Sequence, residues 1–165
     1  MENMKLNNNL ECPMLGLGTF MLSPEDAYTS TLEALKMGYS LIDTANAYVN
    51  ERAVGRAIKD SGIDRKNIFL STKIWASEYE NENAVEETLE RLGVDYVDLL
   101  YIHQPATGLP DTECLKKRIE RAKQNPLVSR ILKENIWKSW KQSGKLYLSL
   151  FRWKHIHISH RKNFV

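Results

Sequence analysis

Apolar residues along the first hundred positions fall into short continuous blocks separated by amphipathic stretches. The blocks are Met14 to Gly18, Ser40 to Asp43, Asn67 to Lys73 and Tyr96 to His103. Each is too short for a buried helix and is bounded by turn residues, which predicts strands. Three stretches of helical spacing lie between them. Ser23-Pro24-Glu25-Asp26 opens the first, with Ser as N-cap, Pro at the first helical position and acids in the first turn. It runs through Ala27, Leu32, Ala34, Leu35 and Met37 and stops at Gly38. The second spans Asn50 to Ser61 and is closed by Gly62. The third spans Asn81 to Leu92, with Ala84, Val85, Leu89 and Leu92 on one face and Gly93 as its cap. Continuously apolar strands alternating with helices predict parallel strands covered by helices, an α/β fold. Ahead of them, Met4-Lys5-Leu6 and Leu10-Glu11-Cys12 flank an Asn-rich turn and predict a small N-terminal hairpin. Further on, residues 111–144 read as two helices split near Asn125-Pro126, and Leu146 to Phe151 as a fifth strand.

The length of 165 residues suits one domain. It falls short of the ~250 residues typical of a closed eight-stranded (β/α) barrel. Cys12 and Cys114 lack metal-like spacing, so reduced thiols in a cytoplasmic protein are expected. No signal-peptide pattern opens the chain and no apolar run approaches the ~20 residues of a membrane span, so no membrane partner is expected. The net charge of +2 conceals an asymmetry: seven basic residues and no acid follow Glu134. Such an end can mark a nucleic-acid contact, but the plainer reading is a tail without a selected role, and no nucleic-acid partner is expected. His155, His157 and His160 lie there without a Cys or carboxylate beside them, so no metal is expected.

The informative polar residues stand where strands end. Asp43 closes the second block, Lys73 the third and His103 the fourth, while Tyr48 lies in the turn after Asp43. Taken singly, these would be a turn cap, a snorkelling lysine, a core histidine and a packing tyrosine. An acid, a phenol, an amine and an imidazole on successive strand ends are instead what a barrel active site requires. Reducing a carbonyl needs a hydride source, a proton for the developing alkoxide and a means of tuning the proton donor. A free phenol titrates near ~10, and an adjacent ammonium is expected to lower that value. A carboxylate beside the amine keeps it charged, and an imidazole can orient the substrate oxygen by a hydrogen bond. Gly16-x-Gly18 lacks the third glycine and following acid of a dinucleotide-binding Rossmann turn.

From Leu15-Gly16-Leu17-Gly18-Thr19-Phe20 to His103-Gln104-Pro105 the pattern resembles the aldo-keto reductase family. The segment Gly38 to Gly55 matches the family's first signature except at Ser40, where the family usually carries Arg. The resemblance returns briefly at Trp137-Lys138 and Ser143-Gly144-Lys145. It implies a TIM-type (β/α)8 barrel, here incomplete, and NADPH-dependent reduction of an aldehyde or ketone to an alcohol. It assigns Tyr48 as proton donor, Lys73 and Asp43 as its tuning pair, and His103 as the residue that orients the substrate. Gly18, Thr19 and Phe20, with Asp43, would contact the nicotinamide end of NADP(H), and Trp75 would line the pocket for a small carbonyl substrate. Residues 1–145 then form the N-terminal half of such a barrel. Residues 146–165 depart from the pattern as a basic tail and lack the family's later cofactor segments. A non-catalytic half-barrel is the alternative. The sequence leaves the oligomeric state open.

Overall fold

The computed structural model describes residues 2–6 and 11–103. The expectations for Cys114, the helices in 111–144, the strand at 146–151 and the basic, histidine-bearing tail lie outside these residues. Strands β1 (Asn3–Lys5) and β2 (Glu11–Pro13) form an antiparallel pair with Met4 opposite Cys12, as the hairpin reading expects. Four parallel strands follow in chain order: β3 (Leu17–Gly18), β4 (Leu41–Asp43), β5 (Phe69–Ile74) and β6 (Leu99–Ile102). Helices α1 (Pro24–Lys36), α2 (Glu51–Asp60) and α3 (Ala84–Leu92) connect them. Among the described residues this is an arc of a (β/α) barrel that does not close.

Several elements start later than their hydrophobic blocks, each because a local polar group takes a backbone hydrogen bond. Met14 and Leu15 are half exposed, at 55% and 51%, and do not form the start of a buried strand. The Met14 N–H is spent on the Glu2 carbonyl at 3.0 Å, which extends the hairpin instead. Asp64 accepts from the Lys66 N–H at 3.1 Å and winds Arg65–Asn67 into a 3-10 turn, so β5 begins at Phe69. The Asp98 carboxylate takes the Leu70 N–H at 2.9 Å and the Arg65 guanidinium at 2.8 Å, and β6 begins only after it. Asn81 accepts from the Asn83 N–H at 2.9 Å, a local turn that competes with helix and delays α3 to Ala84. The first helix starts as expected: Ser23 Oγ accepts from the Asp26 N–H at 3.1 Å and Pro24 is the first helical residue.

Alternation along the strands sorts their residues onto two faces. On one, Ile42, Leu70, Ile74 and Leu100 pack with Leu35 of α1, Val54 and Ile58 of α2, and Leu89 and Leu92 of α3. Burying each such side chain contributes about 1.5–3 kcal/mol. On the other, Leu41 and Phe69, with Leu99 beside them, pack on Cys12 and Leu6 of the hairpin. The hairpin thus closes the base of the inner face and leaves its upper part to other residues.

Helix α2 packs between α1 and α3, and Gly55 sets how close α2 and α3 come. A Cβ at this position would strike the Leu92 backbone carbonyl. In an open helix Gly→Ala stabilises by about 1 kcal/mol. Here Gly55→Ala is expected to destabilise instead, by about 1–3 kcal/mol, because backbone rather than a movable side chain must give way. Urea denaturation checks this, and a stabilised variant would contradict the packing.

Candidate active site

Above the apolar base, the inner face turns polar. Register places Asp43 opposite Ser71, and Lys73 opposite Tyr101. Lys73 Nζ donates to Asp43 Oδ2 at 2.6 Å and to the Thr44 carbonyl at 2.8 Å. Asp43 Oδ1 accepts from Ser71 Oγ at 2.6 Å and from Tyr101 Oη at 2.8 Å. The carboxylate therefore receives three side-chain donors, as a largely buried charge requires. The ammonium lies 5.0 Å from the Tyr48 ring centroid and 5.2 Å from that of Tyr101. His103 follows β6 directly, its N–H held by the Ile74 carbonyl at 2.9 Å. Its imidazole stands edge-on to Tyr48 at 5.6 Å and to Trp75 at 4.7 Å between ring centroids. Phe20 lies 5.1 Å from Tyr48 on the other side. Asp43, Tyr48, Lys73, His103, Phe20 and Trp75 thus gather around one phenol. The Tyr48 hydroxyl makes no hydrogen bond among the described residues, while its ring is held by these neighbours.

Tyr48 owes its position to the turn that carries it. Asn46–Tyr48 form one 3-10 turn, and Val49 then adopts φ +59°. That conformation is strained for a β-branched residue and is kept only where the surroundings over-determine it. On the near side, Asn46 Oδ1 accepts from the Trp75 N–H at 2.9 Å, tying the turn to the end of β5. On the far side stands Asn50, read from sequence as a helix opener. Its side chain makes no capping bond. It donates instead to the Thr19 and Leu22 carbonyls at 2.9 and 3.0 Å. Its amide oxygen accepts from Thr44 Oγ1 at 3.2 Å. Thr19 is wholly buried, with its N–H on the Asp43 carbonyl at 3.0 Å and its hydroxyl 2.9 Å from Thr44 Oγ1. Glu51, also buried, turns the opposite way and accepts from Thr72 at 2.8 Å and Arg91 at 2.7 Å.

Electrostatics corrects one expectation. Tyr48 is not tuned downward by Lys73. Burial first, and the nearby Asp43 charge second, push its phenol up to about 12. Two of the three Lys73 N–H groups are engaged by Asp43 and Thr44, and among the described residues no hydrogen bond joins the ammonium to the phenol oxygen. Burial also draws Lys73 below the ordinary lysine value, against the pull of Asp43 and Glu51. His103 is likewise lowered, by desolvation and then by the Lys73 charge, and its buried Nδ1 has no hydrogen-bond partner among the described residues. The imidazole is therefore neutral at pH 7.

Sequence reasoning overlooked Tyr101, Ser71 and the side-chain role of Asn50. A signal for two of them was present. Tyr101 stands two residues before His103 and Ser71 two before Lys73, so strand alternation places each on the same face as a residue already singled out.

The sequence profile of the aldo/keto reductase family matches residues 14–145. The chain belongs to this family. Over 104 residues it is 50% identical to glycerol 2-dehydrogenase (NADP(+)) of Saccharomyces cerevisiae, covering 62% of this chain and 33% of that protein. Over 103 residues it is 46% identical to morphine 6-dehydrogenase of Pseudomonas putida, covering 61% and 35%. Among solved structures, an aldo/keto reductase from Brucella melitensis superposes with a TM-score of 0.70 at 38% identity, over 87% of this chain and 58% of that one. The aldose reductase from Schistosoma japonicum gives 0.69 at 29% identity, over 78% and 51%. The chain spans about a third of the length of the curated relatives it matches. The described sheet and helices are accordingly part of an aldo-keto reductase barrel, as the resemblance implies.

A raised phenol pKa has a consequence for stability. The folded state keeps the Tyr48 proton between the ordinary phenol value of 10 and about 12, whereas the unfolded chain releases it. The associated stability is present below pH 10 and is lost as pH rises toward 12. Tyrosinate absorbance followed alongside circular dichroism should show ordinary tyrosines titrating near ~10 and later components, of which Tyr48→Phe removes one at about 12 while those of Tyr28 and Tyr101 remain. A Tyr48 component titrating below 10 would contradict the geometry.

Proposed function

We propose that this chain carries the site for NADPH-dependent reduction of an aldehyde or ketone to an alcohol. The observation that carries the reading is a phenol whose hydroxyl has no hydrogen bond among the described residues, flanked by a buried Lys73–Asp43 pair on one side and by His103 on another. In this reading Tyr48 is the proton donor, Lys73 and Asp43 are its supporting pair, and His103 orients the substrate oxygen. Trp75, packed edge-on against His103, forms a wall for the substrate.

Tyr48 Oη gives its proton to the carbonyl oxygen as the carbonyl carbon accepts hydride. A phenol near 12 still does so downhill, because an alkoxide is about as basic as hydroxide, whose conjugate acid lies near ~15.7. The phenolate left behind lies beside the Lys73 ammonium until a solvent proton replaces the one lost. Neutral His103 can donate one hydrogen bond to the substrate oxygen without giving up a proton of its own.

The reduced nicotinamide of NADPH supplies the hydride when bound. The residues present fit it at one end. A Cβ built on Gly18 would meet nothing within 4 Å, so the space over the end of β3 is open to a flat ring beside Asp43 and Phe20. Thr19, which the resemblance places at the nicotinamide end, is wholly buried. Its N–H and hydroxyl are spent internally, so in this reading it anchors the loop from which Gly18 and Phe20 would meet the ring.

Cofactor titration by fluorescence, followed by NADPH oxidation with a simple aldehyde, tests the proposal. Tyr48→Phe should lower turnover by ~10²–10⁴-fold and leave NADPH affinity little changed. Absence of NADPH binding favours the non-catalytic half-barrel. Turnover indifferent to Tyr48→Phe removes the assignment of the proton donor.

A further inference from the structure

The second phenol, Tyr101, has no part in the scheme above, yet it is bonded directly to the carboxylate on which that scheme depends. We propose that Tyr101 is a positioning residue: its hydroxyl caps Asp43 Oδ1, so that the carboxylate serves Lys73 through Oδ2 and leaves the Tyr48 hydroxyl free for substrate. This rests on the reading of Tyr48 as proton donor.

Three observations carry it. Strand register puts Tyr101 opposite Lys73 on β6, and alternation points it to the inner face, so its place is set by backbone pairing rather than by a mobile loop. Its Oη lies 2.8 Å from Asp43 Oδ1, and its ring lies 5.2 Å from Lys73 Nζ, nearly mirroring Tyr48 at 5.0 Å across the ammonium. The oxygens of Asp43 are divided, Oδ1 to Ser71 and Tyr101 and Oδ2 to Lys73.

The division matters because two phenols compete for one anion. Both phenols sense the Asp43 charge, and Tyr48 adds to the upward push on Tyr101. A phenol hydrogen-bonded to a carboxylate is a charge-assisted pair, stronger than one facing a neutral carbonyl. If Oδ1 lacked Tyr101, it would draw in the Tyr48 hydroxyl and turn the proton donor away from substrate. The other charged or titratable groups facing this cluster are Lys73 on β5, Glu51 on α2 and His103 after β6. None of them donates to Oδ1.

Hydroxyl-proton exchange, read by NMR with tyrosine labelled at the ring Cζ, tests the idea near neutral pH and without turnover. In the unaltered chain the Tyr101 hydroxyl proton should exchange slowly and that of Tyr48 fast. In Tyr101→Phe the slow phenol proton should become that of Tyr48, its exchange slowing at least ~10-fold as the bond to Asp43 forms. Ser71→Ala, which leaves Tyr101 in place, should keep Tyr48 fast. Where turnover is measurable, Tyr101→Phe should lower kcat with NADPH affinity unchanged. Fast exchange of Tyr101 in the unaltered chain overturns the proposal and needs no variant to fold. So does a folded Tyr101→Phe whose Tyr48 hydroxyl still exchanges fast. Failure of the reductase reading is distinct, because it appears as missing NADPH binding or turnover and leaves these exchange rates as they are.

Discussion

Everything at the upper end of the sheet depends on a contact of 2.6 Å between Lys73 and Asp43. Both side chains are mostly buried, at 10% and 22% exposure, so the attraction between them must offset a desolvation cost of several kcal/mol per ion. Such a pair persists only if its remaining donors and acceptors are also satisfied. Ser71 and Tyr101 do this for the acid, and the Thr44 carbonyl takes a second of the amine's three N–H groups. The partners come from β4, the turn after it, β5 and β6. The pair therefore requires the strands to be in register, and a one-residue slip would carry Ser71, Lys73 and Tyr101 to the helix-covered face.

The same alternation separates the work of the two faces. Ile42, Leu70 and Leu100 meet the helices and supply most of the apolar burial, while Leu41, Phe69 and Leu99 meet the hairpin. Polar residues on the inner face begin only above that plug. The site's low-dielectric floor is thus a product of the hairpin, an element that contributes no group to the chemistry. A floor of this kind accounts for the direction of the shifts around it: the phenols rise, and the amine and imidazole fall.

What the sequence made legible follows from these constraints. Strand order, helix order and the helix caps at Ser23 and Gly93 rest on local patterns, and the structure bears them out. The gathering of Asp43, Tyr48, Lys73 and His103 was also accessible, since strand ends in a parallel α/β arc lie on one rim. Strand starts were not legible. Apolar runs show what is buried, but Asp64, Asn81 and Asp98 decide where pairing or winding begins, by bonds to backbone groups several residues away or on another strand. The direction of the Tyr48 shift was hidden for a related reason. Proximity of a lysine says little until it is known which acceptors hold its protons, and here Asp43 and Thr44 hold two of the three.

Asn50 and Glu51 show how two adjacent residues can serve a site that neither enters. As a pair they read simply as the start of a helix. Asn50 instead reaches back to the loop after β3, fixing the Thr19 and Leu22 carbonyls and the Thr44 hydroxyl. Glu51 reaches across to Thr72 on β5 and to Arg91 on α3. The 3-10 turn bearing Tyr48 is therefore fixed at its exit from two directions, and at its entrance by Thr44, whose N–H bonds the Ser71 carbonyl. This clamping explains why Val49 can hold a left-handed conformation that costs about 1–3 kcal/mol. The strain is borne by contacts buried in the fold, and it turns the chain sharply enough for Tyr48 to stand beside Lys73 with its hydroxyl unspent among the described residues.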